Sequence, residues 1–389
     1  MKRAWDLLLL FGMSVSFAQA DGLDYWTNRF PSSTGRPRAV GSGGDLIIAQ
    51  EDNSVYSSTS GQDWVLGGYA NGLNVLTGFY VSGLAVGGGK IVAVGGPGIG
   101  YRTLIGTYSG GQWQVTREIG GGFRPGGTYY QVAYGAGTFV AVGDTWFSVS
   151  EPLISGDGIG WTARSISGVG GGNYLSGVTY GNGMFVAVGK NGVVLASNDG
   201  TNWTSAASGT SATLNCVAGG GGQFIAVGNG VEIRSSDGLN WEPVPAVNLA
   251  AISRLVYGAG YFVGVAPGGM IQSTADGIHW TSHGPFTLQS GPMDLFDVAY
   301  FKGSFFAVGT IAILQSGAVA LFQMSADHEQ DTSSLEIKVT GAPGVAGRVQ
   351  VSTNMTDWQD WKSLDGATRS TNLFDDLSSV SKFYRVVSP

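Results

Sequence analysis

The sequence predicts an all-β fold in which a seven-bladed β-propeller of four-stranded blades precedes a small β-sandwich-like C-terminal domain. The evidence for the propeller is a phrase of two short apolar strands around a glycine turn, which returns seven times at steps of 38 to 48 residues. A period of about 40 residues built from strand and turn signals alone is typical of propellers, because each repeat forms one sheet. The anchor residues of the seven copies are Leu46, Ile91, Phe139, Phe185, Phe224, Phe262 and Phe305.

The first 20 residues have the pattern of a secretory signal peptide. They contain a positive start at Lys2-Arg3, an apolar stretch over residues 7–17 and the small-residue cleavage site Ala18-Gln19-Ala20. The apolar stretch is too short to span a bilayer, and we expect no membrane span in the mature chain. These features predict cleavage after Ala20 and a secreted, periplasmic or outer-surface location in a Gram-negative bacterium.

The fourth repeat shows how residues 21–325 are expected to form blades. Residues 178–180 and 185–188 are apolar strands joined by Gly181-Asn182-Gly183, since Asn and Gly tolerate the left-handed backbone of tight hairpin turns. Residues 193–196 form the third strand, and Trp203-Thr204 begins the fourth. The second strand is apolar on both faces, which is expected where neighbouring sheets cover both sides.

A second signature, which we call the aspartate turn, joins the third strand of a repeat to a tryptophan at the start of the fourth. In the fourth repeat it runs from Ser197 through Asp199 to Trp203, and Ser60 and Ser109 replace the aspartate in the first two repeats. A carboxylate in such a turn can accept hydrogen bonds from its own backbone, and the indole packs beneath it, so we assign a structural and not a catalytic role. The residues so assigned are Asp157, Asp199, Asp237, Asp276, Trp64, Trp113, Trp161, Trp203, Trp241 and Trp280.

The aspartate turn resembles the Asp-box, or BNR repeat, of sialidase-like propellers, with one residue fewer between the Asp and the Trp. The resemblance covers about residues 24–317 and implies a rigid propeller disc. Sialidases also carry a Phe/Tyr-Arg-Ile-Pro motif, which is absent here, and the nearest string is Phe123-Arg-Pro125 in a different repeat. Non-catalytic sialidase-like propellers, such as photosystem II assembly factors, hold other proteins.

The seventh repeat lacks a fourth strand, and two segments could supply it. Tyr25-Trp-Thr-Asn28 matches the fourth-strand segment Asn202-Trp-Thr-Ser205 and would close the ring from the N-terminus. Such a closure removes an open sheet edge. The alternative is residues 319–324, with Trp26 as a packed tail.

The composition changes after Ser325. Residues 326–334 are a polar linker, and residues 335–389 are expected to form a small all-β module. Its segments 341–344, 351–358 and 383–387 resemble C-terminal modules of exported proteins from environmental Gram-negative bacteria, which implies a fibronectin- or immunoglobulin-like sandwich. Surface attachment, sorting, glycan contact and protection of the C-terminal edge all remain open as roles.

Charge and composition exclude several function classes. The net charge of −7 and the pI near 4.9 argue against nucleic-acid binding. Cys216, the single cysteine, lies in an apolar strand and is expected to be a small buried residue. The three histidines form no metal motif, so we expect no metal and no cofactor.

Candidate ligand-binding residues follow from loop length. Propeller ligands normally bind the face formed by the fourth-to-first and second-to-third strand loops, which we call the top face. Extra loop length there clusters on the first three repeats and the last link. Aromatic faces beside arginines and carboxylates suit a sugar or a polar peptide, although single aromatics could instead fold inward as loop cores. The candidates are Tyr80, Tyr101, Arg102, Arg117, Glu118, Arg124, Tyr129, Tyr130, Trp146 and Tyr174.

Three functions remain open on the sequence. The first is an exported, monomeric, non-catalytic propeller that binds a protein or a glycan through its top face. The second is a glycoside hydrolase or lyase acting on extracellular polysaccharide, for which Asp294 or Asp297 with Glu118 or Glu151 could be the paired carboxylates. The third is a structural component of the envelope that is attached through its C-terminal module.

Overall fold

A computed structural model defines the positions of most of the chain, which divides into two compact units. The larger unit, residues 23–258 and 262–317, contains the blades. Within the described residues, no helix is long and apolar enough to cross a membrane. The structure describes residues 22–30, 36–51, 54–66, 79–97, 103–109, 112–119, 127–144, 151–164, 166, 173–245, 249–288, 291–310, 312–317, 322–327, 334–341, 347–352, 359–364, 370–376 and 383–387.

The larger unit is a ring of seven antiparallel four-stranded sheets, which confirms the predicted fold. Short 3-10 segments occur at Gly22–Asp24, Lys190–Gly192 and Pro267–Gly269. The first strand, β1 (Trp26–Asn28), belongs to blade 7. Blade 1 consists of β2 (Ala39–Gly43), β3 (Leu46–Glu51), β4 (Ser54–Ser58) and β5 (Val65–Leu66). Blade 2 consists of β6 (Phe79–Gly87), β7 (Lys90–Pro97), β8 (Thr103–Ser109) and β9 (Gln112–Ile119). Blade 3 consists of β10 (Thr128–Gly135), β11 (Thr138–Asp144), β12 (Leu153–Ser155) and β13 (Thr162–Ala163). Blade 4 consists of β14 (Leu175–Gly181), β15 (Met184–Gly189), β16 (Val194–Ser197) and β17 (Thr204–Ala206). Blade 5 consists of β18 (Cys216–Gly220), β19 (Gln223–Gly228), β20 (Val231–Ser235) and β21 (Glu242–Pro243). Blade 6 consists of β22 (Arg254–Gly258), β23 (Tyr261–Ala266), β24 (Met270–Thr274) and β25 (Thr281–His283). The hairpin β26 (Thr287–Leu288) and β27 (Gly291–Pro292) precedes the remaining strands of blade 7, β28 (Leu295–Phe301), β29 (Ser304–Gly309) and β30 (Ala312–Ser316).

The hydrophobic core of the ring lies in the seams between successive blades. One cluster, for example, joins Val188 of blade 4 to Phe224 and Ile233 of blade 5. The second strands are buried on both faces, as predicted, because a neighbouring sheet covers each side: Phe185 and Ala187 of β15 are fully inaccessible to solvent. The stability of the ring therefore depends mainly on contacts between blades.

The inner strands approach each other through a repeated tyrosine-on-glycine contact. Tyr180 of β14 lies where a Cβ atom on Gly135 of β10 would have to be, and its ring centroid is 4.7 Å from that of its own anchor, Phe185. The Tyr-Gly pair of the repeat therefore requires glycine for space, because a methyl group would overlap the aromatic ring. The same contact joins Gly87 to Tyr134, Gly220 to Tyr257 and Gly258 to Tyr300.

The N-terminal strand closes the ring. β1 pairs with β30 in antiparallel register, Thr27 opposite Gln315, and the Gly317 amide donates to the Tyr25 carbonyl at 2.8 Å. Leu23 is fully buried, and its carbonyl accepts a hydrogen bond from the Trp26 indole at 2.7 Å. The predicted N-terminal closure is thus confirmed, and residues 322–324 of the alternative segment form part of a strand of the second unit.

The described residues of the second unit form two three-stranded antiparallel sheets. In the first, Phe322–Asp327 (β31) pairs with Ser334–Gly341 (β32), so this unit begins before the boundary predicted at residue 325. The remaining strands are β33 (Gly347–Ser352), β34 (Gln359–Leu364), β35 (Ser370–Asp376) and β36 (Phe383–Val387), in the orders β31-β32-β35 and β34-β33-β36.

The aspartate turns hold their shape through hydrogen bonds to one carboxylate. Oδ1 of Asp199 accepts the amides of Thr201 (2.7 Å) and Asn202 (2.8 Å), and the hydroxyl of Ser197 (3.0 Å). The amide bonds from Asn202 and Thr201 lower the pKa of Asp199 to about 2. In blade 1, the Ser60 hydroxyl accepts the equivalent two amides at 3.1 and 3.2 Å, which are longer bonds to an uncharged group.

We predict that Gly135→Ala destabilises the propeller by about 1–3 kcal/mol, because the new methyl group overlaps the Tyr180 ring and the seam must open. The free energy of unfolding, measured by urea titration, tests this. The control is Gly156→Ala, where a Cβ atom would meet no atom within 4 Å. Equal stability of the two variants would contradict the tyrosine-on-glycine contact.

A second prediction concerns ring closure. Leu23→Ala should lower the free energy of unfolding by about 2–5 kcal/mol, because it leaves a cavity under the closing strand. Tyr25→Ala, two residues away and 66% exposed, should change it by less than about 0.5 kcal/mol. If Leu23→Ala were as stable as Tyr25→Ala, the N-terminal segment would not close the ring.

Candidate functional site

The inner strands surround a central channel, and their first residues form its mouth on the top face. These strands, β2, β6, β10, β14, β18, β22 and β28, contact one another in this order, and β28 contacts β2. In blades 2 to 7, the residue eight positions before the anchor occupies one level of the ring, and these residues are Gly83, Gln131, Gly177, Cys216, Arg254 and Asp297. In blade 1 the register differs by one residue, so Ala39 lies at this level and Arg38 directly precedes it. The mouth is therefore a place where charged side chains break an otherwise small or apolar repeat.

Beneath this level lies a cavity of about 260 Å³, lined by residues from all seven inner strands. Its polar lining includes Gln131, Thr179 and Asp297. Each inner strand is hydrogen-bonded to another strand along one edge and, among the described residues, has no neighbouring strand along the other. The free edge faces the channel, so its backbone amides and carbonyls need polar partners there. The charged residues of the mouth supply some of them.

Arg254 spans the channel from blade 6 to the opposite side. Its Nη2 donates to the carbonyls of Ser82 in blade 2 and Tyr130 in blade 3, each at 3.1 Å, and Nη1 donates to Ser253 at 3.0 Å. The Nε atom lies 3.9 Å from Oδ1 of Asp297. One guanidinium group therefore joins three blades and faces a carboxylate on a fourth.

Asp297 connects blade 7 to blade 1. Its Oδ2 accepts the amide of Val40 at 3.0 Å, and its Oδ1 accepts the amide of Val298 at 2.9 Å. Burial raises the pKa of Asp297 to about 6, although the Arg254 charge and the two amide bonds oppose that rise. Burial also raises the pKa of the nearby Cys216 thiol to about 12, so this cysteine is inert at neutral pH.

Aromatic side chains form the rim of the mouth in two groups. The Arg38 guanidinium lies 5.2 Å from the ring centroid of Tyr80 and 5.8 Å from that of Phe296, in cation–π geometry. Tyr130 and Tyr174 form an edge-to-face pair with centroids 5.9 Å apart. Burial, with smaller contributions from Asp144 and Tyr174, raises the pKa of Tyr130 to about 12 and keeps its phenol neutral.

The structure brings some of the sequence-predicted residues to this rim and leaves others elsewhere. Tyr80, Tyr130 and Tyr174 lie at the mouth, and Tyr80 is 50% exposed. Tyr129 lies in the core at 2% exposure, because β10 begins at Thr128 and directs this side chain towards blade 2. Arg117 and Glu118 lie on β9, the outer strand of blade 2. Tyr101, Arg102, Arg124 and Trp146 lie outside the described residues.

Sequence reasoning did not identify Arg38, Gln131, Arg254 or Phe296 as site residues, and it named Asp297 only as a possible member of a catalytic carboxylate pair. A signal was present in the repeat itself. Eight residues before the anchor, glycine or cysteine stands in the second, fourth and fifth repeats, and a charged or amide side chain stands in the third, sixth and seventh. Arg254 and Asp297 stand at the same position of their repeats, so an alignment of the repeats predicts both charges at one level of the ring.

A second buried carboxyl lies away from the mouth, in the seam between blades 5 and 6. Trp280 donates its indole N–H to Oε2 of Glu232 at 2.9 Å, whereas Trp203 and Trp241 donate to a glycine carbonyl of their own turn. Burial raises the pKa of Glu232 to about 7, despite the Trp280 bond and the charge of Arg234. Among the described residues, no group of three or more His, Cys, Asp or Glu side chains is placed to hold a metal ion.

No protein-family model matches the chain, and no curated protein matches it. Solved structures do match. The structure of YCF48 bound to a D1 peptide is 16% identical, with 76% of this chain and 97% of that chain covered and a TM-score of 0.54. The WD40 propeller domain of Doa1 is 9% identical, with 75% and 96% covered and a TM-score of 0.50.

An extracellular domain of a one-component system from B. thetaiotaomicron is 8% identical and gives a TM-score of 0.53. The match covers 90% of this chain but 47% of that domain, so the chain spans about half its length. At these identities the similarities show the shared β-propeller fold.

We predict that Glu232→Gln becomes more stable relative to the wild type as pH rises from about 4.5 to 7. The folded carboxyl has the higher pKa, so the folded state binds the extra proton in this window and loses stability as that proton leaves, on the order of 2 kcal/mol. Urea unfolding at a series of pH values measures the difference. Glu242→Gln, an exposed control on β21, should show no such trend, and a pH-independent difference for Glu232→Gln would contradict the prediction.

Proposed function

We propose that this protein is an exported, non-catalytic propeller that binds an extended segment of a partner protein across the mouth of its central channel. The observation that carries the proposal is the pair of aromatic groups on the rim. Tyr80 is half exposed and is held against Arg38, and the Tyr130–Tyr174 pair lies on the neighbouring blades 3 and 4.

Rigid aromatic groups of this kind suit a binding surface. Tyrosine offers a large contact area at a low cost in conformational entropy, and it combines an apolar ring with a polar hydroxyl. The rim residues begin strands of the rigid disc, so little ordering is needed when a ligand binds. An extended peptide could lie across the mouth and place alternate side chains against the two aromatic groups.

The charged groups at the mouth favour binding over catalysis. Arg254 donates to three backbone carbonyls, and each carboxylate oxygen of Asp297 accepts a backbone amide, so both side chains already serve the scaffold. Asp294, the other carboxyl considered for glycoside hydrolysis, accepts the Gly268 amide at 3.0 Å. These contacts support a role of the propeller in binding a partner and not in catalysis.

The structural neighbours support the same class of function. YCF48 shares the propeller fold and was solved with a peptide bound. The leader pattern of residues 1–20 supports an exported location, where the partner would be met.

The test uses the mature chain, residues 21–389, in two parallel screens, against a phage-displayed random peptide library and a glycan array. We expect enrichment of peptides with affinity reduced about tenfold or more in Tyr80→Ala/Tyr174→Ala, because interface aromatics dominate such contacts. Tyr25→Ala, an exposed tyrosine of the closing segment, is the control and should bind as the wild type does.

The other outcomes of the two screens separate the remaining functions. Binding of glycans without peptides would replace the protein partner by a sugar. Release of shortened oligosaccharides would make the protein a glycoside hydrolase or lyase. Peptide binding that survives the double substitution would place the site away from the mouth.

A further inference from the structure

We propose that the Arg254–Asp297 pair is the positioning device of the mouth and makes peptide binding there dependent on pH. This inference rests on the proposed function and concerns its regulation. Neither residue is required to touch the ligand. Both act through the backbone segments that carry the aromatic rim.

Arg254 fixes the segments that carry Tyr80 and Tyr130. Its two Nη2 contacts are to the carbonyls of Ser82 and Tyr130. Each of these residues is the extra residue of a β-bulge, where the register shifts between residues 81 and 83 and between residues 129 and 131. A bulged residue has no regular partner in the ladder, so its conformation depends on other contacts. The guanidinium supplies that contact to both bulges at once.

Asp297 fixes the opposite side of the mouth. It accepts the amide of Val40, two residues after Arg38, and it directly follows Phe296, which is the bulged residue of blade 7. The Arg38 guanidinium lies over the ring of Tyr80 and also over the ring of Phe296. Arg254 and Asp297 therefore hold, by hydrogen bonds, the backbone segments that carry both aromatic groups.

The protonation state of Asp297 changes this arrangement. The charged or titratable groups that face it are Arg254 from blade 6 and Cys216 from blade 5, and in blade 1 Arg38 directly precedes Ala39, the residue at this ring level. The thiol stays neutral, so Arg254 is the counter-charge. When the carboxyl takes up a proton, one oxygen becomes an O–H donor and a weaker, uncharged acceptor for the amide of Val40 or Val298, and Arg254 loses its counter-ion.

The effect of Asp297 ionisation on the stability of the fold favours a functional reason for this ion pair. Burial raises the pKa of Asp297 to about 6, above the value in the unfolded chain, so ionisation of this carboxyl lowers stability as pH rises through that range. A buried ion pair is weak evidence for stability, and replacement by apolar residues is often neutral or stabilising. The pair is therefore better explained by the geometry that it imposes on the mouth.

The first measurement needs no ligand. Hydrogen–deuterium exchange of the free mature chain is followed at residues 79–83 and 129–131 between pH 5 and pH 7.5, after correction for the intrinsic exchange rate. We expect protection in the wild type to fall below about pH 6, where Asp297 becomes protonated. In Asp297→Asn, protection should be low at every pH. Asp294→Asn, which changes an exposed carboxyl three residues away, should follow the wild type.

The second measurement uses the peptide selected from the phage library. Its dissociation constant for the wild type should rise about tenfold from pH 7.5 to pH 5, the size of a typical coupling between sites. Asp297→Asn should bind weakly with a flat pH profile. If Asp297→Asn fails to fold, Arg254→Lys replaces it, since it keeps the charge but loses the fork, and it should weaken protection of both segments at pH 7.5.

The two measurements separate this inference from the proposed function. Wild-type pH profiles in Asp297→Asn, or unchanged protection in Arg254→Lys, would overturn the positioning role and leave peptide binding intact. If protection depends on pH and Asp297→Asn abolishes that dependence, the positioning role is supported even when the library yields no peptide. A library that yields no peptide contradicts the proposed function alone.

Discussion

The close approach of successive inner strands is the constraint on which the ring depends. Each inner strand packs closely against the next, and at four of the seams a tyrosine of one strand occupies the space that a Cβ atom on a glycine of the neighbouring strand would need. Tyr180 covers Gly135 and packs at a tilt against Phe185, so one aromatic side chain fills the seam and supports its own blade. The Tyr-Gly pair of the repeat is therefore a packing requirement of the circle as well as a turn signal.

The same geometry creates a problem at the axis that the molecule solves with charge. An inner strand leaves one edge unpaired, and seven such edges meet in the channel. Arg254 and Asp297 meet part of this demand, because the cation serves carbonyls of opposite blades and the anion serves amides at the seam between blades 7 and 1. Two charges that are costly to bury thereby connect blades 6, 7, 1, 2 and 3 and lie directly under the aromatic rim.

Much of the fold could be predicted because each repeat encodes its own blade. The glycine turns, the buried second strands and the closure by Trp26–Asn28 follow from local pattern and from a missing strand in the last repeat. The site was less accessible to this reasoning. Tyr80 and Tyr174 lie at the mouth, but Tyr129 lies in the core, because the side a strand residue faces depends on where the strand begins and on a bulge at Tyr130.

The sequence by itself determined the number of blades, the aspartate turns and the strand that closes the circle, because these depend on short-range pattern and on its repetition. Only the tertiary structure decided which side chains meet at the axis. Arg254 and Tyr130 are 124 residues apart, and Asp297 and Val40 are 257 apart. No local pattern encodes such pairs, since they become neighbours only when closure of the ring brings all seven inner strands to one channel.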